Sequence, residues 1–157
     1  MEQQTSVIID AGHGGAEPGA MFEGRKEKDD TLRLAVAVGE ILENNGIRVM
    51  YTRTTDVYDT PLEKAMIANG SGADFFVSIH RNAMPVPGTG KGALNLVYEN
   101  TGPGALMAEN IQKNLVKAGF DDLGVRNVPE SLCSGGLRCR LCWWRRDFRS
   151  PGGQQDF

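Results

Sequence analysis

Short apolar segments alternate along the chain with longer segments in which apolar residues recur every three or four positions. The short segments are typical of buried strands and lie at residues 6–10, 47–52, 74–79 and 92–98. The longer segments predict amphipathic helices at about residues 29–45, 60–69 and 105–118. Strands that alternate with helices predict a single α/β domain with a twisted, mostly parallel sheet flanked by helices.

Turn and capping residues set the ends of these helices. Gly46 follows the first helix, and Gly119 follows the third, at the position where a left-handed residue commonly ends a helix. Thr60 and Pro61 suit the N-cap and the first turn of the second helix. In the first helix the spacing predicts one buried stripe, formed by Leu32, Val36, Gly39, Ile41 and Leu42.

Size and charge narrow the classes of function. The 157 residues are enough for one ordinary domain, and the net charge of −3 argues against a nucleic-acid partner, because polyanion-binding domains are usually basic. No segment approaches the roughly 18–20 continuous apolar residues that span a bilayer, so we expect no membrane span. Residues 1–6 lack a basic stretch followed by an apolar one, so we expect no signal peptide in this chain.

The only two histidines each lie just beyond an apolar strand segment. His13 belongs to the motif DAGHGG at residues 10–15, and His80 belongs to SIHRNA at residues 78–83. Side chains past the carboxyl ends of parallel strands converge on one crevice, so the two histidines can meet there despite their separation in sequence. Two imidazoles and one carboxylate would form an open zinc site, with a fourth position left for water.

The third ligand has to come from another part of the chain. The loop at residues 11–26 is too polar to belong to the core, and this loop and the residues after it offer several carboxylates. The candidates are Glu23, Glu27, Asp29 and Asp30, and position and spacing favour Glu27. A lone histidine at a strand end is more often a structural hydrogen-bonding residue than a ligand, so the prediction depends on the combination. The glycines around His13 fit a tight turn, which is compatible with a metal site.

These segments resemble the zinc-dependent N-acetylmuramoyl-L-alanine amidases, a family of cell-wall hydrolases. The resemblance covers residues 6 to about 130, and no single motif decides it. Its specificity comes from the order and separation of the motifs, which are DAGHGG at residues 10–15, PGA at 18–20, EK at 27–28, GIRV at 46–49, TR at 52–53, AN at 68–69 and SIHRNA at 78–83.

The resemblance implies a cofactor, a substrate and a set of site residues. Zinc (Zn2+) would be held by His13, Glu27 and His80, and Asn82 would lie beside the metal and bind substrate. The bond cleaved would join the lactyl group of N-acetylmuramic acid to the L-alanine of the stem peptide. Peptidoglycan would be the partner, and the cell wall or the extracellular space the location. Arg81 and Asn82 are also open to interpretation as ordinary surface residues.

Composition changes abruptly near Glu130. All three cysteines and both tryptophans lie within residues 131–157, with five arginines, no lysine and no Ala, Val or Ile. Members of the family end in a strand of the type Met-Pro-Ala-(apolar)-Leu-Val-Glu, whose glutamate is the general base or acid, followed by a helix. Residues 138–148 read RCRLCWWRRDF instead, a poor strand and a poor helix. We therefore expect the terminal strand and helix to be absent or garbled and the catalytic glutamate to be missing.

This change predicts a division of the chain into an incomplete amidase domain at residues 1–130 and an aberrant tail at residues 131–157. Tryptophan has a single codon, TGG. A reading frame that begins at the third base of the Cys142 codon therefore encodes leucine and then valine. If the Arg145 codon is AGA or AGG, the next codon in that frame encodes glutamate. With suitable codons the other frame spells Met-Pro-Ala-Leu-Leu-Val-Glu-Ala-Gly-Phe. We hypothesise that a single-base insertion or deletion near Glu130 shifted the frame, which also accounts for the Cys-x-x-Cys pair without a metal or redox role.

Three functions compete. The first is zinc-dependent hydrolysis of the muramoyl-L-alanine amide, impaired in this chain by the missing glutamate. The second is a non-catalytic peptidoglycan-binding remnant, which predicts binding without turnover. The third is another zinc amidohydrolase of the α/β type, which predicts turnover of soluble acyl-amino acids in preference to muropeptides.

Overall fold

A computed structural model describes residues 4–81 and 92–128 with their side chains, and only the backbone of Asn82 and of residues 140–144. The elements in this part of the chain are, in order, β1 (Ser6–Ala11), β2 (Met21–Phe22), β3 (Arg25–Lys26), α1 (Glu27–Asn44), β4 (Arg48–Tyr51), α2 (Pro61–Gly70), β5 (Phe75–Asn82), β6 (Gly92–Val97), α3 (Gly102–Lys117), β7 (Asp121–Asn127) and β8 (Arg140–Trp144).

Six of these strands form one sheet, in the order β4-β1-β5-β8-β6-β7. Strands β4, β1, β5 and β8 are parallel to one another, whereas β6 runs antiparallel to β8 and parallel to β7. The short strands β2 and β3 form a separate antiparallel hairpin. The prediction of a single α/β domain with a mostly parallel sheet is confirmed.

Strand β1 is buried along its whole length because helices cover both faces of the sheet beside it. On one face Ile9 and Ile79 pack with Ala35 of α1. On the other face Ile8 packs with Ala65 of α2. Successive residues of a strand point to opposite faces, so the neighbours Ile8 and Ile9 anchor two different helices to one strand.

Most predicted helix ends agree with the structure. Thr60 caps α2 in a capping box, in which its hydroxyl accepts from the Glu63 amide at 3.2 Å and its own amide donates to Glu63 Oε2 at 2.6 Å. Gly46 and Gly119 have φ values of 80° and 97° and follow α1 and α3 as predicted. The predicted stripe of α1 is wrong at Ile41, which is 63% exposed, because it lies about 200° around the helix from buried Gly39.

The strands depart from the prediction in four places. Strand β5 continues to Asn82, so His80 lies within the strand rather than beyond it. Strand β7 was not predicted; its sequence DDLGVRN is charged and contains glycine, which is acceptable at the exposed edge of a sheet. The hairpin of β2 and β3 lies within the segment that was predicted to be a loop.

The fourth departure is β8. The expectation that residues 138–148 form neither a strand nor a helix is wrong for Arg140–Trp144, which pair with both β5 and β6. Aromatic residues are common in strands, and the gap between β5 and β6 offers backbone partners on both sides. The rest of the tail at residues 131–157 lies outside the described residues, and so does the region in which we predicted that the terminal helix is absent.

No helix within residues 4–82 and 92–128 is long and apolar enough to cross a membrane.

Candidate metal centre

Three different elements bring the predicted ligands together. His13 follows the end of β1, His80 lies near the end of β5, and Glu27 is the first residue of α1. β1 ends at Ala11, which pairs with Ile79, and β5 continues to Asn82. The amide of Gly12 continues this pairing and donates to the Ile79 carbonyl at 2.9 Å. The two histidines therefore meet at the carboxyl edge of the sheet, as predicted.

The donor atoms of these residues have the spacing of a metal site. Glu27 Oε1 lies 3.1 Å from His13 Nε2 and 3.3 Å from His80 Nδ1. The imidazole rings are 4.9 Å apart at an interplanar angle of 76°, and one ligand atom from each residue lies within 4.8 Å of the others. Ligands of a tetrahedral zinc at about 2.0–2.1 Å are about 3.3–3.4 Å apart. The three side chains thus fit a metal ion of that size.

Glu27 is held as a buried anion. Its Oε2 accepts from the Ala20 amide at 2.8 Å, and its Oε1 accepts from the Arg81 amide at 2.6 Å. Burial by itself raises the pKa of this carboxyl, but the hydrogen bonds and charges of His13 and His80 outweigh burial and hold the pKa well below its usual range. The amino end of α1 also favours a negative charge. The side chain is therefore a fixed carboxylate at neutral pH.

Two glycines allow the ligands to approach so closely. A Cβ on Gly12 would lie 2.6 Å from His80 Cε1, and a Cβ on Gly19 would lie 2.5 Å from His13 Cδ2. Gly19 also has a φ of 64°, a conformation that favours glycine. Glycine at these positions leaves the space that the imidazoles occupy.

The other candidate carboxylates lie elsewhere. Glu23 is exposed in the turn between β2 and β3, and Asp29 is exposed on α1. Asp30 is buried, but it forms ion pairs with Arg25, Arg33 and Arg81. The structure thus joins Glu27, and not these three, to the histidine pair. Metal ligation by His13, Glu27 and His80 remains a prediction.

The predictions for Arg81 and Asn82 compare differently with the structure. The interpretation of Arg81 as an ordinary surface residue is wrong, since only 2% of the residue is exposed and its guanidinium contacts Asp30. This ion pair joins β5 to α1 next to His80 and Glu27. The backbone of Asn82 pairs with Trp144 of β8, and its side chain lies outside the described residues.

The burial of Arg53 and Lys64, two cations near the site, was not predicted. The Arg53 side chain donates to the carbonyls of Ala11 and Gly12, both at 3.0 Å, and Lys64 Nζ donates to the Ala11 carbonyl at 2.8 Å. Lys64 lies on the apolar face of α2, beside Ala65. A lysine on a helix face that otherwise packs on the core was a signal for such a role.

Comparison with known proteins agrees with this geometry. Residues 7–134 match the model of a family described as N-acetylmuramoyl-L-alanine amidase. The chain is 38% identical over 126 residues to the sporulation-specific N-acetylmuramoyl-L-alanine amidase of Bacillus subtilis, covering 78% of this chain and 48% of that protein. It is 36% identical over 134 residues to an endolysin of Bacillus phage SPP1, covering 80% of this chain and 48% of the endolysin.

A solved structure leads to the same family. The N-acetylmuramoyl-L-alanine amidase from Clostridium difficile 630 superposes with a TM-score of 0.79 at 28% identity, covering 88% of this chain and 77% of that one. The chain spans about half the length of the Bacillus and phage relatives. The chain belongs to the N-acetylmuramoyl-L-alanine amidase family.

Proposed function

We propose that this chain holds a zinc ion through His13, Glu27 and His80 and hydrolyses the amide between N-acetylmuramic acid and L-alanine in peptidoglycan. Its place of action is then the cell wall. The observation that carries the proposal is the cluster of three donors within 4.8 Å of one another, in a chain that matches the amidase family over residues 7–134.

The donor set supports zinc as the metal. Two imidazole nitrogens and one carboxylate oxygen are the ligand set of several catalytic zinc sites, in which the fourth position takes water. A zinc ion bound there supplies a Lewis acid for the amide carbonyl and lowers the pKa of bound water to about 7. The one negative charge of Glu27 leaves such a centre a net positive charge, which favours a developing oxyanion in the substrate.

The residues of the chain itself supply orientation. The Ala20 and Arg81 amides fix both oxygens of Glu27, so the carboxylate meets the metal without rearrangement. Asn82 follows His80 by two residues along β5. The family resemblance supports substrate binding by Asn82.

The site lacks, on strand β8, the carboxylate that the family uses as general base or acid. Strand β8 lies beside β5 at the candidate site, and its residues Arg140–Trp144 include no aspartate or glutamate. General acid–base assistance is typically worth about 10²–10⁴-fold in rate. We therefore propose that this chain hydrolyses peptidoglycan slowly, and that residues 131–157 are the product of a shifted frame.

The test is a digestion of purified peptidoglycan by the zinc-loaded chain, with release of soluble stem peptide and of new L-alanine amino termini as the readout. We expect slow release that stops with a chelator and is absent in the Glu27→Gln variant. Equal release by the variant would overturn the proposal. Turnover of soluble acyl-amino acids in preference to muropeptides would instead indicate another zinc amidohydrolase.

The second candidate function is a non-catalytic peptidoglycan-binding remnant. The specific observation in its favour is the same absence of a carboxylate from the sequence of β8. It predicts that the chain sediments with insoluble peptidoglycan and releases nothing from it. Sedimentation and release measured on the same sample separate the two functions.

A further inference from the structure

Lys64 is a charged side chain in a place where lysine is rarely found. Its side chain is only 9% exposed, on the face of α2 that packs on the sheet. Lysine is almost never buried unless it is paired. Lys64 Nζ lies 2.8 Å from Asp10 Oδ1, so this lysine is paired.

Asp10 in turn is fully engaged at the end of β1. Its Oδ1 accepts from the Thr52 hydroxyl at 2.6 Å, and its Oδ2 accepts from the Ser78 hydroxyl at 2.6 Å. These partners lie beyond β4 and within β5, so the carboxylate ties the three strands of this half of the sheet together. The ammonium of Lys64 therefore sits on a rigid support.

The other hydrogen bonds of Lys64 go to the loop that carries a metal ligand. Its Nζ donates to the carbonyl of Ala11 at 2.8 Å and to that of His13 at 3.5 Å. Arg53 binds the carbonyls of Ala11 and Gly12 in the same loop. Lys64 extends this support to the ligand residue itself.

His13 needs such support because its backbone is in an unfavourable conformation. Its φ is 61°, in the left-handed region that residues with a Cβ rarely adopt. This conformation places Nε2 at 3.1 Å from Glu27 Oε1. A residue in this region keeps its conformation only when the surrounding structure determines it.

We propose that Lys64 is a positioning residue for the metal ligand His13. Its buried ammonium, held by Asp10, binds the carbonyls on both sides of the turn and keeps His13 in the left-handed conformation that directs Nε2 to the metal position. Lys64 touches neither metal nor substrate. The inference rests on the metal-binding part of the proposed function and requires no catalysis.

The test is the affinity of the full chain for zinc, measured by competition with a chelating indicator. Loss of an outer-shell partner typically lowers metal affinity about 10–100-fold, and we expect this loss for Lys64→Met. Lys64→Arg keeps a cation with hydrogen-bond donors, so we expect it to recover part of the loss. The control is Lys113→Met, an exposed lysine of α3, which should bind zinc like the wild type.

A second readout separates positioning from general destabilisation. The absorption spectrum of the cobalt-substituted protein reports ligand geometry, and we expect it to change in Lys64→Met and not in Lys113→Met. The double variant Asp10→Asn with Lys64→Met removes both buried charges, so it avoids leaving Asp10 unpaired. We expect it to fold and still to bind zinc weakly.

The outcomes are distinct. Folded Lys64→Met or folded double variant with wild-type zinc affinity and an unchanged cobalt spectrum would overturn the inference. If neither variant folds, Lys64 supports the whole domain rather than one ligand, and the inference is again overturned. A wild-type chain that binds no zinc would instead count against the proposed function.

Discussion

The two halves of the sheet on either side of β8 are built differently. The half with β4, β1 and β5 holds the three metal-type donors and a set of buried charges, namely Asp10, Lys28, Asp30, Arg53, Lys64 and Arg81. In the half with β6, β7 and α3, the buried polar contacts centre on amides. Gln112 accepts from Asn95 at 2.7 Å and donates to the Ala93 carbonyl at 2.7 Å.

The difference shows where buried charge is used in this fold. Burying a charge is costly unless the charge is paired and hydrogen-bonded. In the first half Arg53 and Lys64 donate to carbonyls at the end of β1 and in the following loop, Asp10 pairs with Lys64, and Asp30 pairs with Arg81. In the second half neutral amides join α3 to β6 at lower cost and position no donor. The buried charges named above therefore lie in the half that holds the candidate metal cluster.

Of the changes considered, removal of the negative charge of Glu27 should have the largest effect, and that effect is on zinc binding. We expect Glu27→Gln to weaken zinc binding by more than the roughly 10–100-fold that outer-shell changes cause, because a neutral amide replaces the only anionic ligand. Competition titration against a chelating indicator measures the loss. Glu40→Gln, an exposed change on α1, is the matched control. Wild-type affinity in Glu27→Gln would show that the cluster is not the metal site.

The next largest effect should come from β8, the strand between the two halves, and it is on the rate of hydrolysis. If resequencing of the coding DNA from the Val128 codon to the stop shows that one base restores Leu-Val-Glu-Ala-Gly-Phe, the corrected chain should hydrolyse peptidoglycan about 10²–10⁴-fold faster. The restored glutamate would supply the general base that residues 140–144 lack. DNA around Trp143 and Trp144 that cannot spell this segment in another frame would sink the hypothesis.

The sequence was informative where local chemistry determines structure. His13 follows one apolar strand and His80 lies near the end of another, so sheet geometry alone predicted that the histidines meet. The burial of Arg81 was not predictable, because it depends on Asp30, which is 51 positions away in sequence and one turn beyond Glu27. Strand β8 was missed because its pairing partners, β5 and β6, lie far from it in sequence and flank it only in the folded sheet.

Adding a methyl group at Gly12 should have a smaller effect, on both stability and zinc binding, and this effect should be confined to the half with β4, β1 and β5. In Gly12→Ala the new Cβ would lie 2.6 Å from His80 Cε1, so the imidazole must move. Such overpacking typically costs about 1–3 kcal/mol, and we expect that loss in the free energy of unfolding together with weaker zinc binding. Gly70→Ala is the control, because its Cβ would meet nothing within 4 Å. Equal stability of the two variants would contradict the assigned packing.

A change in the second half should separate stability from metal binding. Gln112→Leu leaves the Asn95 amide, the Ala93 carbonyl and the Asp122 carboxylate without their Gln112 partner, and an unmade buried hydrogen bond costs about 1–3 kcal/mol. We expect urea denaturation to show this loss and zinc affinity to stay at the wild-type value. Asn110→Leu, at an exposed position of α3, is the control. A parallel fall in zinc affinity would break the contrast between the halves.

The smallest effect concerns the pH dependence of the apo protein. Burial raises the pKa of Asp10, but Lys64, His80 and Ser78 outweigh burial and lower it below its ordinary value of 3.8. A carboxyl whose pKa is lowered on folding stabilises the protein above its unfolded pKa, and this contribution is lost as the pH falls below 3.8. Glu27 titrates in the same direction, so the wild-type curve contains both groups.

Urea denaturation of the apo protein at a series of pH values on both sides of 3.8 isolates the Asp10 contribution. The wild type should lose stability on acidification faster than the double variant Asp10→Asn with Lys64→Met, which has no buried pair left to titrate. The difference between the two curves belongs to this pair, because Glu27 is common to both. If the two curves run parallel, the charges of Asp10 and Lys64 contribute no stability of their own. The buried charges would then lie beside the candidate site without stabilising this half of the sheet.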